Sequence, residues 1–396
     1  MLSVDEAQAR ILAVARPTGV ETLPLDRCSG RVLAETDVSA VHDVPPFANS
    51  AMDGFAARAA DLPGSLIIVG EVTAGAASLP RVALGTTVRI MTGAPMPPGA
   101  DTVIPIEDAT EGDGVVTLPA VEAGAYVRAA GHDTAAGEAV CVPGRLTPAG
   151  LAVLASIGLA EVEVRRRPIV AILSTGDELV APGGTLGSGQ IFDANSVALA
   201  AAIEEAGGAA LLLDRAADDR DVIAQRIAAG AADADLVVVS GGVSVGRHDH
   251  VREVIEERGS LDFWRIAVQP GKPLAFGEVA GTPVIGLPGN PVSALVTFEL
   301  FVRPLIRVML GLRGDGRARI RAGVDERMAK DPNRRAYLRV LVRTGADGYA
   351  ASTAGGQASS QLRPLAAANA LLIVPEGQAA AEAGATYEAL VIGELS

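Results

Sequence analysis

Residues Ser240-Gly241-Gly242-Val243-Ser244-Val245-Gly246 follow the apolar run 236–239 and end three residues before Asp249. A short apolar run stopped by Gly-Gly reads as a buried strand opening into a tight loop. Glycines let the backbone approach a ligand closely, and consecutive N–H groups in such a turn can cradle phosphate oxygens. The chemistry this spacing points to is anion binding; a tight turn with no ligand is the competing reading. Two further loops share the character. Pro270-Gly271-Lys272-Pro273 sets a cation beside a turn, and Gly286-Leu287-Pro288-Gly289-Asn290-Pro291-Val292-Ser293 leads into an amphipathic stretch running to about residue 310. Asn290 suits the cap of that helix and Pro291 its first position. A helix start carries unpaired N–H groups and partial positive charge, which also suits an anion. Upstream, the apolar run 169–173 ends in Ser174-Thr175-Gly176-Asp177-Glu178-Leu179.

These loops can act together only if their strands are parallel neighbours, which puts every loop at the carboxyl edge of one sheet, where open α/β sheets bind ligands. Strands alternate with helices from about 166 to 312, with 196–206, 219–232 and 250–258 as the best helical segments. Such alternation predicts a doubly wound, mostly parallel α/β domain covered on both faces. Ser3 followed by Glu6 makes a capping box for a helix whose apolar positions include Ile11, Leu12 and Val14. A second helix starts at Thr147, with Pro148 just inside, and stops near Gly158. Between them 66–69, 87–91, 102–106 and 115–118 are short β-rich runs broken by Gly and Pro. From about 313 strands return, with Leu338, Val340 and Val342 on one face of a run and Arg339 and Arg343 on the other. The expected organisation is multidomain α/β plus β. A small helical and extended linking domain (1–40 and 130–165) flanks an all-β insert domain (41–129). The α/β domain (166–313) and a C-terminal β-barrel-like domain (314–396) follow.

Bulk properties narrow the function classes. With 396 residues and 49% hydrophobic composition the chain can bury more than one core. A net charge of -14 argues against a surface that tracks nucleic-acid phosphates, and 3% aromatic content leaves little for base stacking. Asp5 and Glu6 stand where a signal peptide would carry positive charge, and no apolar run approaches membrane-spanning length, so a cytoplasmic protein without membrane attachment is expected. Cys28 and Cys141 form no CxxC pair and read as ordinary thiols. His248 and His250 lack a convincing third zinc ligand.

Ser-Thr-Gly-Asp-Glu-Leu, Ser-Gly-Gly-Val-Ser-Val-Gly, Pro-Gly-Lys-Pro and Gly-Leu-Pro-Gly-Asn-Pro-Val-Ser, in this order, resemble molybdopterin molybdenumtransferase, the family that includes the carboxyl-terminal domain of gephyrin. The amino-terminal half is similar too, through Pro45-Pro46-Phe47, Ser50-Ala51-Met52-Asp53-Gly54-Phe55-Ala56, Thr92-Gly93-Ala94, Gly99-Ala100-Asp101, Arg128, Gly131 and Asp133. The likeness spans essentially the whole chain. It implies an enzyme that inserts molybdate into adenylylated molybdopterin, cleaves the phosphoanhydride and releases AMP to give molybdenum cofactor. Pterin adenylylation, which uses the same α/β scaffold, and a non-catalytic clustering scaffold are the rival readings.

Substrate phosphates and molybdate are anions, and two like charges 4 Å apart repel by about 4 kcal/mol at an effective dielectric near 20. Backbone donors, local cations and a divalent metal have to offset that in so acidic a chain. Mg2+ prefers one or two carboxylates with phosphate oxygens and water; Glu178 and Asp249, each beyond a predicted strand, are the candidates, with helix capping as the alternative role and Zn2+ as the alternative ion. The resemblance further implies Asp53, Thr92 and Asp218 in catalysis, and Asp133, Ser174, Thr175, Gly241, Gly242, Ser244, Gly246, Lys272, Pro288, Gly289, Asn290 and Pro291 in substrate binding. For molybdate it implies Lys272, one of Arg334 and Arg335, and one of Ser359 and Ser360; lysine serves as a point charge and arginine as a fork. Three positions depart from the family pattern: Gln269 where relatives carry a second lysine, Ala336 where many carry glutamate, and His250 where tyrosine is usual. Because Asp53 and Asp249 fall in different expected domains, and relatives are homodimers with the site in an intersubunit cleft, a homodimer is expected. So are contacts with the pterin adenylyltransferase and with recipient molybdoenzymes.

Overall fold

A computed structural model describes residues 1–35, 37–142, 144–243, 250–314, 316–345 and 348–395. The chain divides into two compact units, Met1–Val20 with Arg165–Ser396, and Glu21–Val164. Helix α1 (Val4–Ala13) begins at the expected capping box: Glu6 N donates to Ser3 Oγ at 3.2 Å, and Ser3 N donates to the Glu6 carboxylate at 2.9 Å. Its buried face is Val4, Ala7 and Ile11, whereas Val14 is the C-cap. The helix clusters with Arg165–Ser396, not with the 130–165 segment that the sequence groups with it. No helix among the described residues is long and apolar enough to cross a membrane.

In the unit Glu21–Val164, a six-stranded sheet runs in the order Thr102–Pro105, Gly54–Ala57, Thr86–Ile90, Gly64–Val72, Val115–Leu118, Thr110–Gly112. Every pair is antiparallel except Thr86–Ile90 with Gly64–Val72. Successive residues serve opposite faces: Phe55 packs with Leu66, Ile104 and Val116, while Ala56 packs with Val72, Val88 and Ile90. A Cβ on Gly54 would meet Ile104 O at 1.9 Å, so only glycine fits between these strands. Helix α2 (Pro148–Ser156) starts as expected, with Gly150 N donating to Thr147 Oγ1 at 3.2 Å, and buries Leu154 against Leu33, Ile157 and Val164. Cys28 is fully buried in the same cluster.

In the other unit the α/β sheet has the order Ala209–Leu212, Ile169–Ser174, Leu236–Ser240, Thr282–Leu287, Pro273–Val279, Gly259–Arg265. The first four strands are parallel; Pro273–Val279 runs antiparallel to its neighbours on both sides, so Gly259–Arg265 again follows the direction of the first four. The parallel strands read as continuous Val/Ile/Leu runs because both faces are covered; Leu236–Ser240 is buried throughout. Helices α3 (Ala194–Ala206), α4 (Arg220–Asp233) and α5 (His250–Arg258) match the three helical segments expected. Asp193 and Asp219 cap α3 and α4 through their carboxylates.

The expected single amphipathic stretch is instead α6 (Pro291–Thr297), a π turn (Phe298–Val302) and α7 (Arg303–Met309). Proline lacks an N–H, so Pro304 cannot donate to the Leu300 carbonyl four residues earlier. The helix widens there, and Gln8 Nε2 donates to Leu300 O at 2.9 Å. After α7, strands Arg319–Val324, Arg335–Gly345, Gly348–Thr353, Ala370–Val374 and Thr386–Val391 close into the expected barrel. Val268–Gln269 adds in parallel to its longest strand, and α8 (Leu362–Ala367) precedes the fourth. Of the two arginines expected opposite Leu338, Val340 and Val342, Arg343 is exposed but Arg339 is 0% exposed.

Candidate functional site

Parallel register brings three loops to one rim. Ser174 stands opposite Ser240, and Ser240 opposite Leu287, so the segments after 174, 240 and 287 leave the sheet side by side. Backbone bonds stitch them: Thr175 N donates to Ser240 O at 3.0 Å, and Gly241 N to Leu287 O at 3.2 Å. Gly241 (φ 94°) and Gly242 (φ 64°) lie in the left-handed region that favours glycine. A Cβ on Gly241 would sit 2.6 Å from Thr175 O, and one on Gly242 would sit 2.7 Å from Val251 Cγ2. Gly289 lies alongside in ordinary contact, its Cβ position 3.6 Å from Gly241 Cα.

The hydroxyls of Ser174 and Thr175 are buried and have no hydrogen-bond partner among the described residues. Buried polar groups are ordinarily paired, and leaving one unpaired costs about 1–3 kcal/mol. Two such orphans at the end of one strand mark a place where a polar ligand supplies the missing partner. Asn195, in the first turn of α3, braces the rim: its Nδ2 donates to Ser240 Oγ and to Gly289 O, both at 2.8 Å. Because Gly289 O can only accept, the nitrogen end of the amide is fixed there. Sequence reasoning missed this residue, and no local signal marks it, since Asn195 meets the rim only through the packing of α3.

The Glu178 carboxylate is exposed, lies over Gly176, and takes no hydrogen bond from a described residue. Asp177 Oδ1 accepts from Asp218 N at 3.1 Å, which brings the exposed Asp218 loop to the same edge. Ser244, Gly246, His248 and Asp249 lie outside the described residues. Among the described residues no three His, Cys, Asp or Glu side chains are grouped to hold a metal. The rim as described offers two carboxylates without a partner among the described residues, Glu178 and Asp218, together with hydroxyls and amides. That oxygen-rich set fits Mg2+, which uses few protein ligands and completes its shell with phosphate and water.

Lys272 sits beside α6: Gly271 (φ 111°) is pressed so close that a Cβ there would lie 2.5 Å from Thr297 Cγ2. The Lys272 side chain is half-buried and forms no ion pair among the described residues. Asn290 occupies the N-cap position of α6, but its side chain makes no capping bond. Instead Asn290 Nδ2 donates to Ser359 Oγ at 3.2 Å, joining the rim to the barrel loop. Pro291 takes the first helical position as expected. Ser360 borders a separate cavity with Gln361, Leu362 and Arg363.

The two candidate arginines part company. Arg334 Nε donates to Asp331 Oδ2 at 2.7 Å, and Asp331 N donates to Gln269 Oε1 at 2.9 Å, one residue before the Pro270-Gly271-Lys272 turn. Hydrogen bonding from Asn333 N, then from Arg334, holds the Asp331 carboxyl below the usual range. Lys330, 8% exposed, donates to Pro375 O at 2.6 Å and to the Arg334 carbonyl, fixing the backbone here; burial pulls its ammonium pKa down. Arg335 instead forks onto Asp5 at 2.6 and 2.9 Å. It lines a cavity of about 490 Å3 with Gln8, Glu299, Arg319 and Tyr337. Neither Lys272 nor Ser359 borders that cavity.

In the unit Glu21–Val164, two residues singled out separately form one group. Asp53 Oδ1 accepts from Thr92 N at 2.6 Å and from Thr92 Oγ1 at 2.8 Å. The Thr92 amide, then its hydroxyl, holds the exposed Asp53 carboxyl below the usual range. Asp133 is exposed, and among the described residues its carboxylate meets only the neighbouring Thr134 hydroxyl, at 3.5 Å.

Known proteins resemble the chain along its whole length. Residues 2–158 match the family model described as the MoeA N-terminal region (domain I and II), 171–308 the probable molybdopterin binding domain, and 321–392 the MoeA C-terminal region (domain IV). A Mycobacterium tuberculosis protein named molybdopterin molybdenumtransferase 2 is 40% identical over 402 residues, covering 97% of this chain and 98% of its own. A Haemophilus influenzae protein named molybdopterin molybdenumtransferase is 42% identical over 317 residues, 78% of each chain. A crystal structure of the molybdopterin biosynthesis moeA protein from Pyrococcus horikoshii OT3 superposes with a TM-score of 0.84 at 27% identity, covering 99% of this chain and 100% of its own.

Proposed function

The chain belongs to the molybdopterin molybdenumtransferase family, enzymes of molybdenum cofactor biosynthesis, and from that premise we propose that it takes molybdopterin in adenylylated form and releases AMP as molybdate enters. The observation that carries this reading is the pair of buried hydroxyls on Ser174 and Thr175, without a partner among the described residues and set where three parallel-strand loops share one rim. A phosphate oxygen is a strong acceptor for both.

The pyrophosphate bridge lies along the glycine turns, where Gly241, Gly242 and Gly289 keep the backbone bare. Ser174 and Thr175 donate to it, and the Asn195 brace holds two of the loops at fixed spacing. Glu178 and Asp249, the latter outside the described residues, would hold Mg2+, which when bound polarises the anhydride and neutralises the leaving phosphate. Water adds across the P–O–P bridge, giving AMP and the pterin phosphate monoester. Molybdate is met at the other end by Lys272, Arg334 and Ser359, of which Ser359 is tied to the rim through Asn290. Asp53, steadied as a carboxylate by Thr92, and Asp218 act on water or on substrate oxygens, and Asp133 contacts substrate.

The working form in this reading is a cytoplasmic homodimer that receives its labile substrate from the pterin adenylyltransferase and passes cofactor to molybdoenzymes. Sedimentation at micromolar concentration checks it: a fully active monomer would remove the dimer from the account. The central test is AMP release from adenylylated pterin with and without molybdate and Mg2+. Release that requires both supports the reading. AMP-pterin formation from unadenylylated pterin and ATP would favour an adenylyltransferase instead, and the absence of either activity would leave a clustering scaffold.

A further inference from the structure

Arg339 is 0% exposed and forms no ion pair among the described residues. Its guanidinium meets backbone carbonyls only: Nη2 donates to Gly356 O at 2.7 Å and to Ala358 O at 3.3 Å, while Nε has no partner. An arginine stays protonated even where burial disfavours its charge. A buried cation with no carboxylate beside it is unfavourable unless an anion answers it.

The turn over this cation is built to stay in place. Gln357 Oε1 accepts from Arg339 N at 3.0 Å, and Gln357 Nε2 donates to Arg339 O at 2.9 Å, so one side chain stitches the turn to the strand at both backbone groups. Gly356 lies under the Gln361 amide, which a Cβ there would displace from a position 1.9 Å away. In a trans peptide the C=O and N–H point to opposite sides, and no cis bond occurs in this turn. With the carbonyls of 356 and 358 turned toward Arg339, the N–H groups of Gln357 and Ser359 face away from it. Neither N–H is hydrogen-bonded to another described residue. The Ser359 hydroxyl oxygen already accepts from Asn290 Nδ2, which leaves its own proton free to donate elsewhere.

We infer that the 356–359 turn is an oxyanion nest, in which the amides of Gln357 and Ser359 and the Ser359 hydroxyl bind molybdate, and that Arg339 is the positioning residue that turns those amides outward and supplies positive charge beneath them. This rests on the proposed role of Ser359 and adds two backbone donors and a buried cation to it. Three donors over a fixed charge suit a compact tetrahedral dianion. The arrangement adds oxyanion donors in a chain that carries Gln269 where relatives carry a second lysine.

The test uses the full-length protein with molybdate, and with tungstate as a second probe. Arg339→Met is expected to raise KM for molybdate by about tenfold or more, the scale of hydrogen bonds to a charged group. kcat at saturating molybdate and KM for adenylylated pterin stay within about twofold of the parent. Arg339→Lys keeps the charge without the fork and recovers part of the loss. In the unmodified protein, adding molybdate slows amide hydrogen exchange in the 355–361 peptide, a readout that needs no variant and stands if Arg339→Met fails to fold. An unchanged exchange rate, or a folded Arg339→Met with parental KM for molybdate, overturns the nest. If Ser359→Ala also leaves molybdate affinity untouched, the oxyanion reading of this loop falls with it. If Ser359→Ala weakens molybdate while Arg339→Met does not, only the role of Arg339 is lost.

Discussion

Asn290 stands at the cap of α6 and yet spends its side chain on Ser359, donating from Nδ2 to Oγ at 3.2 Å. A residue placed by local helix chemistry thereby becomes a strut between the glycine rim and the barrel. Asn290→Ala removes no capping bond, so thermal stability should change little. The Ser359 hydroxyl loses its donor and its fixed orientation, and KM for molybdate should rise about three- to tenfold, the worth of one neutral hydrogen bond. Steady-state AMP release across a molybdate series, with a thermal melt alongside, checks both halves.

Arg334 and Arg335 make a matched pair of substitutions. Arg334 is joined to the Lys272 turn through Asp331 and Gln269, so Arg334→Ala should raise KM for molybdate by about tenfold. Arg335→Ala loses its fork on Asp5, whose side chain is 72% exposed. A pair that open to water contributes about 1 kcal/mol at most. Parental molybdate KM in Arg335→Ala and a large rise in Arg334→Ala is the expected contrast; the reverse would move the oxyanion into the Asp5 cavity.

The Thr92 hydroxyl should be visible in the titration of Asp53. Its folded carboxyl pKa is depressed below 3.8, chiefly by the Thr92 amide and then by the hydroxyl. A depressed carboxyl pKa adds stability that is present above the unfolded value and is lost as pH falls through the folded one. Thr92→Val should move the Asp53 pKa up toward 3.8 without reaching it, because the amide remains. Its stability deficit should be present at neutral pH and vanish in acid. Carboxyl NMR titration gives the first quantity, and denaturant melts on both sides of pH 4 give the second.

Gln8→Leu tests the π turn. Without the Gln8 amide, Leu300 O loses the donor that replaces the N–H missing from Pro304, an unpaired carbonyl costing about 1–3 kcal/mol. Urea unfolding should show that loss while kcat/KM for adenylylated pterin stays at the parental value. No change in the urea midpoint would mean that Leu300 O finds another partner.

Much of the architecture was legible before any coordinates. Ser3 with Glu6, Thr147 with Pro148, and the alternation of apolar runs with helical segments each rest on interactions a few residues long. All three appear in the fold. The glycine turns were legible as well, because positive φ and close backbone approach exclude other residue types at the positions where they occur. The π turn was not, since its cause lies partly in Gln8, some 292 residues away in the chain.

The chain alone determined which segments become strands, caps and bare turns, and it carried enough motif to place the protein in its family. Tertiary structure decided which side chains meet. It set Ser174 beside Ser240, spent Asn290 on Ser359 and Arg335 on Asp5, and sank Arg339 beneath a turn where alternation alone would pair it with the exposed Arg343. The reason is physical: backbone preferences are local and written residue by residue, whereas the partner of a polar side chain depends on which distant strand or loop packing brings within about 3 Å.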